Sequence, residues 1–91
     1  MEQKRAVVSV IGKDQVGIIA NVTQVLSEQN INILDISQTI LQDFFTMMML
    51  VDVSELADLD ELHQAFEVVS KNLNLKIHIQ LEDVFQAMHR V

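Results

Sequence analysis

The two glycines of the chain, Gly12 and Gly17, enclose the four residues Lys13-Asp14-Gln15-Val16. A run of β-branched residues precedes them and a helical pattern follows, so this segment lies where a strand turns directly into a helix. The free N–H groups and the positive dipole end at the start of a helix suit a carboxylate. The junction is therefore a candidate binding site for a ligand that carries a carboxylate group.

A purely structural interpretation of the same residues is also open. In that interpretation Gly12 ends a strand, Asp14 caps the helix, and Gly17 lets the first turn of the helix pack closely on the sheet. The glycine spacing also matches a phosphate-binding loop, but Ile18 and Ile19 stand where that loop needs a lysine and a hydroxyl. Nucleotide binding is therefore excluded, while ligand binding and capping both remain.

Hydrophobic periodicity predicts the elements that position this junction. A β-branched strand over residues 6–11 comes first and an amphipathic helix follows the glycines. The next strand, residues 31–40, changes its apolar phase, so we expect a β-bulge near Leu34-Asp35. After a short polar break, residues 44–53 form its hairpin partner.

The second half of the chain completes the pattern. A second helix is predicted, with Ser54 or Asp58 as its N-cap, and an alternating strand follows over residues 75–81. Val84, Phe85 and Met88 then form a short amphipathic tail. The fold class is α+β, a ferredoxin-like βαββαβ antiparallel sheet with two helices on one face, plus a short C-terminal helix. We expect residues 1–91 to form one domain.

The uncovered face of this sheet is predicted to be apolar. By strand alternation it carries the side chains of Val7, Ile11, Phe44, Met48 and Leu50. Such a surface is rarely left to water, so we expect either a cover or the pairing of a sheet edge with another copy. Identical copies usually close as a two-fold dimer, and a homodimer is therefore predicted.

Composition excludes several classes of function. The chain contains no cysteine, which rules out disulfides and thiolate chemistry and is compatible with the cytoplasm, where we expect the protein to act. Its net charge of −7 opposes binding to nucleic acids and anionic membranes. No segment approaches the ~20 apolar residues of a membrane helix.

Neither a catalytic site nor a metal site is predicted. His63, His78 and His89 lack metal-ligand spacing, and no cysteine could complete a zinc site. The acidic cluster around residues 52–61 lacks the glycine and alternating oxygen ligands of a calcium loop. No pair of nucleophile and base emerges. The sequence therefore predicts a protein that is not an enzyme and has no cofactor.

The strand-to-helix signature "VIGKDQVGIIANVTQVLSEQNINI" resembles that of the ACT domains, small regulatory modules that bind amino acids. The resemblance covers about the whole chain, and single-domain bacterial members similar to the regulator of the glycine cleavage system look closest. Family members commonly carry a basic residue and a proline in the loop where this chain has Gln15 and Val16. The missing proline removes a rigid φ angle before Gly17.

The resemblance implies a ligand loop and a second contribution from the next strand. The implied ligand-binding residues are Asp14, Gln15, Val16, Gly17, Ile18, Asn32 and Ile33, with Asn32 facing the ligand across a subunit boundary. It implies a non-catalytic regulatory domain that binds an amino acid or related metabolite as a homodimer, with a regulated protein as a possible partner. The alternative is a constitutive interaction or dimerisation module without a ligand.

Overall fold

The computed structural model describes residues 4–84, which fold in the order βαββαβ. The elements are β1 (Arg5–Lys13), α1 (Ile18–Glu28), β2 (Asn32–Leu41), β3 (Phe44–Asp52), α2 (Asp60–Leu73) and β4 (Lys76–Leu81). This element order and the antiparallel four-stranded sheet confirm the predicted ferredoxin-like fold.

The strands lie in the order β2-β3-β1-β4, and each is antiparallel to its neighbours. The outer strands β2 and β4 are therefore the edges, and β1 and β2 run in the same direction. We call the edge of the sheet where β1 finishes, with Lys13 opposite Phe44, the loop end. At the far end, Arg5 and Asn32 both pair with Asp52.

A β-bulge interrupts the pairing of β2 with β3. Ile33 pairs with Val51 and Asp35 pairs with Leu50, so Leu34 is an extra residue between them. The bulge predicted near Leu34-Asp35 is confirmed. Because one extra residue reverses the alternation of a strand, the part of β2 beyond the bulge has a different phase from the part before it.

The phase change directs two isoleucines of β2 toward the helix side of the sheet. Ile36 lies opposite Met49 and Ile40 lies opposite Phe45, and both of these β3 residues are buried in the core. Ile36 and Ile40 are nevertheless about half exposed. The helices thus leave the β2 edge uncovered on the side where β3 is buried.

The core fills the space between the sheet and the two helices. Alternate residues of β3 show the pattern most clearly, because Met47 and Met49 are buried while Met48 between them is 40% exposed. This agrees with the predicted placement of Met48 on the outer face of the sheet. The buried apolar set also contains Ala6, Val8, Val10, Val22, Leu26, Leu62, Phe66, Val69, Leu75 and Ile79.

Leu59 holds the N-cap position of α2, so neither of the two residues predicted as the N-cap, Ser54 and Asp58, is the cap. The helix begins at Asp60, and the Asp58 carboxylate accepts a hydrogen bond of 2.9 Å from the Asp60 backbone N–H. The Ser54 hydroxyl oxygen instead accepts a bond from the backbone N–H of Lys4. Asp58 therefore satisfies an N–H of the first turn, while Ser54 joins the start of the chain to the end of β3.

The outer face of the sheet is apolar where the alternation predicted it. The predicted residues alternate along β1 and β3 with the buried ones and therefore point away from the helices: Val7, Ile11, Phe44, Met48 and Leu50. A hollow of about 200 Å³ opens on this face and includes Val7, Met48 and Leu50 in its lining. None of the residues 4–84 covers this face, so much of it meets solvent.

The predicted C-terminal helix falls largely outside the described residues. Val84 lies within them and is half exposed, whereas Phe85 and Met88 do not. Among the residues that are described, neither helix is long and apolar enough to cross a membrane.

Candidate ligand-binding site

The loop between β1 and α1 ends at Gly17, which occupies the N-cap position of the helix. Its φ of 96° lies in the left-handed region that L-residues with a side chain rarely adopt. Asn21 donates to the Gly17 carbonyl from its backbone N–H at 3.0 Å and from its side-chain Nδ2 at 2.7 Å. Gly17 therefore precedes the first turn rather than lying within it, and its backbone conformation favours glycine.

No side chain caps α1. The structural interpretation in which Asp14 is the cap is therefore wrong, because glycine holds that position. The first N–H groups of an α-helix have no partner within the helix, and here they belong to Ile18, Ile19 and Ala20. The start of α1 consequently presents unpaired backbone donors and the positive end of the helix dipole.

Gly12 has a different structural role. It lies inside β1, one residue before the end of the strand, and pairs with Phe45. A Cβ atom at this position would lie 2.5 Å from Cδ2 and 3.4 Å from Cα of Leu75, which is buried. Gly12 therefore allows the turn between α2 and β4 to pack directly against the last residues of β1.

The central residues of the loop are fastened to two other elements. The Asp14 backbone N–H donates to the Asp43 carbonyl in the β2–β3 turn at 2.7 Å. The Gln15 side-chain Nε2 donates to the carbonyl of Leu73, the last residue of α2, at 2.7 Å and to the Lys13 carbonyl at 3.3 Å. The loop thus joins the hairpin turn on one side to the end of α2 on the other.

The two remaining loop residues in the predicted site have opposite environments. Val16 is 97% exposed, and its side chain projects into solvent at the tip of the loop. Ile18 is 2% exposed and belongs to the core. A ligand at the loop could therefore meet Ile18 through its backbone N–H, whereas the Val16 side chain is fully available.

Asn32 and Ile33 lie at the far end of the sheet from the loop. The row that contains Asn32 and the row that contains Lys13 are eight residue steps apart along β1, a distance of about 26 Å at ~3.3 Å per step. Asn32 and Ile33 help to line a groove of about 440 Å³ beside the C-terminal part of α1. One chain therefore brings Asp14–Ile18 together but keeps Asn32 and Ile33 apart from them.

Several residues that shape the loop were not predicted. Leu73, Asn74 and Leu75 form the support beneath it, and Asp43 and Asn21 accept or donate the hydrogen bonds that hold it. The i,i+4 spacing of Gly17 and Asn21 was the one local signal available. The other contacts join positions far apart in the sequence, and periodicity alone does not identify them.

The polar side chains in the described part of the chain do not form a metal site. Within residues 4–84, no three histidine, cysteine or acidic side chains lie together in a way that could hold a metal ion. His63 and His78 are exposed, and His89 lies outside the described residues.

The fold and the loop define a single ferredoxin-like domain with an uncapped helix at the end of its first strand. The chain belongs to the ACT domain family, whose model matches residues 4–80. ACT domains are regulatory modules, and the family resemblance inferred from the loop signature is thereby confirmed.

Relatives and solved structures agree with this assignment. A UPF0237 protein of Listeria monocytogenes is 50% identical over 88 residues, which cover 96% of this chain and 99% of that protein. The structure of an ACT domain protein from Streptococcus pneumoniae has 42% identity and a TM-score of 0.80, with 97% and 100% of the two chains covered. A putative glycine cleavage system transcriptional repressor shares the fold at 18% identity and a TM-score of 0.74, over 89% of this chain and 47% of its own.

Proposed function

We propose that this protein is a non-catalytic regulatory domain, spanning residues 1–91, that binds an amino acid or a related metabolite as a homodimer in the cytoplasm. The observation that carries the proposal is the uncapped start of α1, held in place by Gly17. Its unpaired N–H groups and dipole favour a carboxylate, the group that all amino acids share. The absence of cysteine from the chain is compatible with a reducing compartment.

The homodimer is supported by the separation of Asn32 from the loop. Because β1 and β2 run in the same direction, Asn32 starts its strand at the end of the sheet opposite the loop. Antiparallel pairing of two β2 edges about a two-fold axis would bring Asn32 of one copy to the loop end of the other. The unpaired edge of β2 and the exposed Ile36 and Ile40 favour such pairing.

Each proposed ligand contact has a distinct chemical role. The backbone N–H groups of Ile18 and its neighbours would bind the carboxylate, and the Asp14 carboxylate would pair with the ammonium group. Asn32 of the second copy would add a side-chain amide, and Ile33 beside it an apolar wall. Val16 at the loop tip would cover the ligand side chain. The positive end of α1 and the negative Asp14 carboxylate would lie at a fixed spacing. Together they would select a free amino acid, which carries both charges, over a simple carboxylate.

The rival function is a constitutive dimerisation module without a ligand. It is favoured by Gln15 and Ile18, because the Gln15 amide is bonded within the chain and the Ile18 side chain is buried. The two functions differ in one property, since a ligand that binds only the folded protein raises its stability by RT ln(1 + [L]/Kd). In either case regulation would act through self-association or through a protein partner.

Calorimetry and thermal unfolding with each of the twenty amino acids test the proposal. At least one amino acid should raise the melting temperature at millimolar concentration. Asp14→Asn should weaken its binding about tenfold or more without changing stability, because the lost contact is charge-assisted and Asp14 does not cap α1. Asp43→Asn removes the same charge from the adjacent turn and serves as the matched control.

A second pair of variants tests the contribution from the other copy. Asn32→Ala should weaken binding, while Gln64→Ala removes an exposed amide from α2, outside the proposed β2 interface, and should leave binding unchanged. Absence of binding by the wild type to any amino acid at millimolar concentration would contradict the proposal and leave the dimerisation module. Equal affinities for the wild type and both test variants would also contradict the assigned site.

A further inference from the structure

We infer that Gln15 is a positioning residue: its side chain fastens the loop to the C-terminal end of α2, and through that bond the α2–β4 turn controls the shape of the ligand site. This inference rests on the proposed function, because it assumes that the loop binds the ligand. It assigns Gln15 a role distinct from the direct ligand contact implied by the family resemblance.

The hydrogen bond of Gln15 joins two chain segments that are distant in sequence. Its Nε2 lies 2.7 Å from the Leu73 carbonyl oxygen, across a separation of 58 residues. Leu73 ends α2, and the last carbonyls of a helix lack partners within the helix. The Gln15 amide therefore satisfies a helix-end acceptor and directs its positive dipole end toward the negative end of the helix dipole.

The segment that receives this bond is itself firmly held. Asn74 adopts a left-handed conformation with φ 54°, and the Ser70 carbonyl accepts the backbone N–H groups of both Asn74 and Leu75. The Ser70 hydroxyl also donates to the Leu75 carbonyl. Leu75 is buried and packs against Gly12, so the turn makes direct contact with the strand that leads into the loop.

The loop itself contains little else that could fix its shape. The chain has no proline, so no residue of the loop has a φ angle locked by a ring. Val16 is almost fully exposed, and Lys13, Asp14 and Gln15 before it are also exposed. The Asp14 backbone bond to Asp43 holds one side of the loop, and the Gln15 bond holds the other.

The chemistry of the bond predicts which substitutions preserve it. The Leu73 carbonyl needs a donor, so Gln15→Met removes the bond while keeping a side chain of similar length. Gln15→Lys supplies an ammonium donor, which the negative end of a helix also favours. A direct ligand contact would differ in one respect, since losing it would leave hydrogen exchange in the unliganded loop unchanged.

Hydrogen exchange on the unliganded protein provides the first measurement. In Gln15→Met, amides of residues 15–18 and 73–76 should exchange about three- to tenfold faster than in the wild type, the change expected for one lost hydrogen bond. Gln15→Lys should restore slow exchange. Gln24→Met replaces an exposed glutamine on α1 and should leave exchange in both segments unchanged.

Calorimetry with an equimolar mixture of the twenty amino acids provides the second measurement. Affinity should fall about three- to tenfold in Gln15→Met and recover in Gln15→Lys, in parallel with exchange. Unchanged hydrogen exchange in Gln15→Met would overturn the inference. If the same variant also bound amino acids more weakly, Gln15 would be a direct ligand contact. A third outcome is faster exchange in Gln15→Met combined with no binding of any amino acid by the wild type. That outcome would support the bond to α2 and contradict only the proposed function.

Discussion

The loop at the start of α1 and the strand β2 carry the two halves of the proposed site, and they are held in opposite ways. Bonds to Asp43 and Leu73 and the fixed conformation of Gly17 hold the loop within one chain. β2 pairs only with β3 in the described residues, and its Ile36 and Ile40 remain about half exposed.

This difference indicates which half of the site can form alone. A loop that is ordered before binding loses little conformational entropy when a ligand arrives. An open edge instead offers unpaired backbone groups that another strand can satisfy. We therefore expect one copy to supply a preformed anion site, and association to add the remaining contacts.

The largest expected effect comes from removing the support beneath the loop end. Phe66 is buried in the core on α2, the helix to which the loop is fastened. Phe66→Ala should lower the free energy of unfolding by about 3–5 kcal/mol, because it leaves a cavity under α2. Urea denaturation measures the loss, and Val68→Ala on the exposed side of the same helix is the control. Similar midpoints for the two variants would contradict the assigned core.

A smaller loss is expected from the loop backbone. Gly17→Ala should cost about 1–3 kcal/mol, because a Cβ is disfavoured at φ 96° and would also crowd the Asn21 amide at 3.3 Å. Gly17→Asn should cost less, since asparagine tolerates the left-handed region better than alanine. Thermal unfolding ranks the stabilities of the wild type and the two variants. An alanine variant as stable as the wild type would contradict the fixed loop conformation on which the contrast with β2 depends.

The smallest effect on folding, with a specific effect on association, is expected at the β2 edge. Ile40→Lys should change the stability of one copy by less than about 0.5 kcal/mol, since the residue is already half exposed. It should weaken self-association about tenfold or more, because edge pairing would place the charged side chain in the apolar contact between the two strands. Sedimentation measures this, and Phe44→Lys on the outer face is the control. Greater dissociation by Phe44→Lys would move the dimer interface to the outer face.

Much of the fold could be predicted because its signals are local and periodic. The alternation of Met47, Met48 and Met49 gave the right faces of β3, and the phase change after Ile33 located the bulge. These predictions depend on side chains spaced by two residues along a single strand. Burial of one face of the sheet forces that alternation, so the alternation can be recognised in the sequence alone.

The loop could be predicted only in part. Its position between strand and helix followed from composition, but the assignment of Asp14 as the cap was wrong because the φ of Gly17 is not visible in a sequence. The bond from Gln15 to Leu73 was missed because its partners are 58 residues apart. The resemblance implied that Asn32 reaches the ligand across a subunit boundary, and the direction of β2 keeps Asn32 away from the loop of its own chain.

The regular pairing beyond the bulge at Leu34 makes β2 sensitive to its length as well as to its composition. Deleting Leu34 itself would keep Ile33 opposite Val51 and Asp35 opposite Leu50, so the later residues would stay on their present sides. Deleting Ser37, beyond the bulge, would instead turn every following residue of the strand to the opposite side. Thr39 would then face the helix side, and Ile40 would join the open outer face. A chain one residue shorter there would thus keep nearly the same composition but present a different edge, so we expect substitutions in β2 to be tolerated far better than single-residue insertions or deletions beyond the bulge.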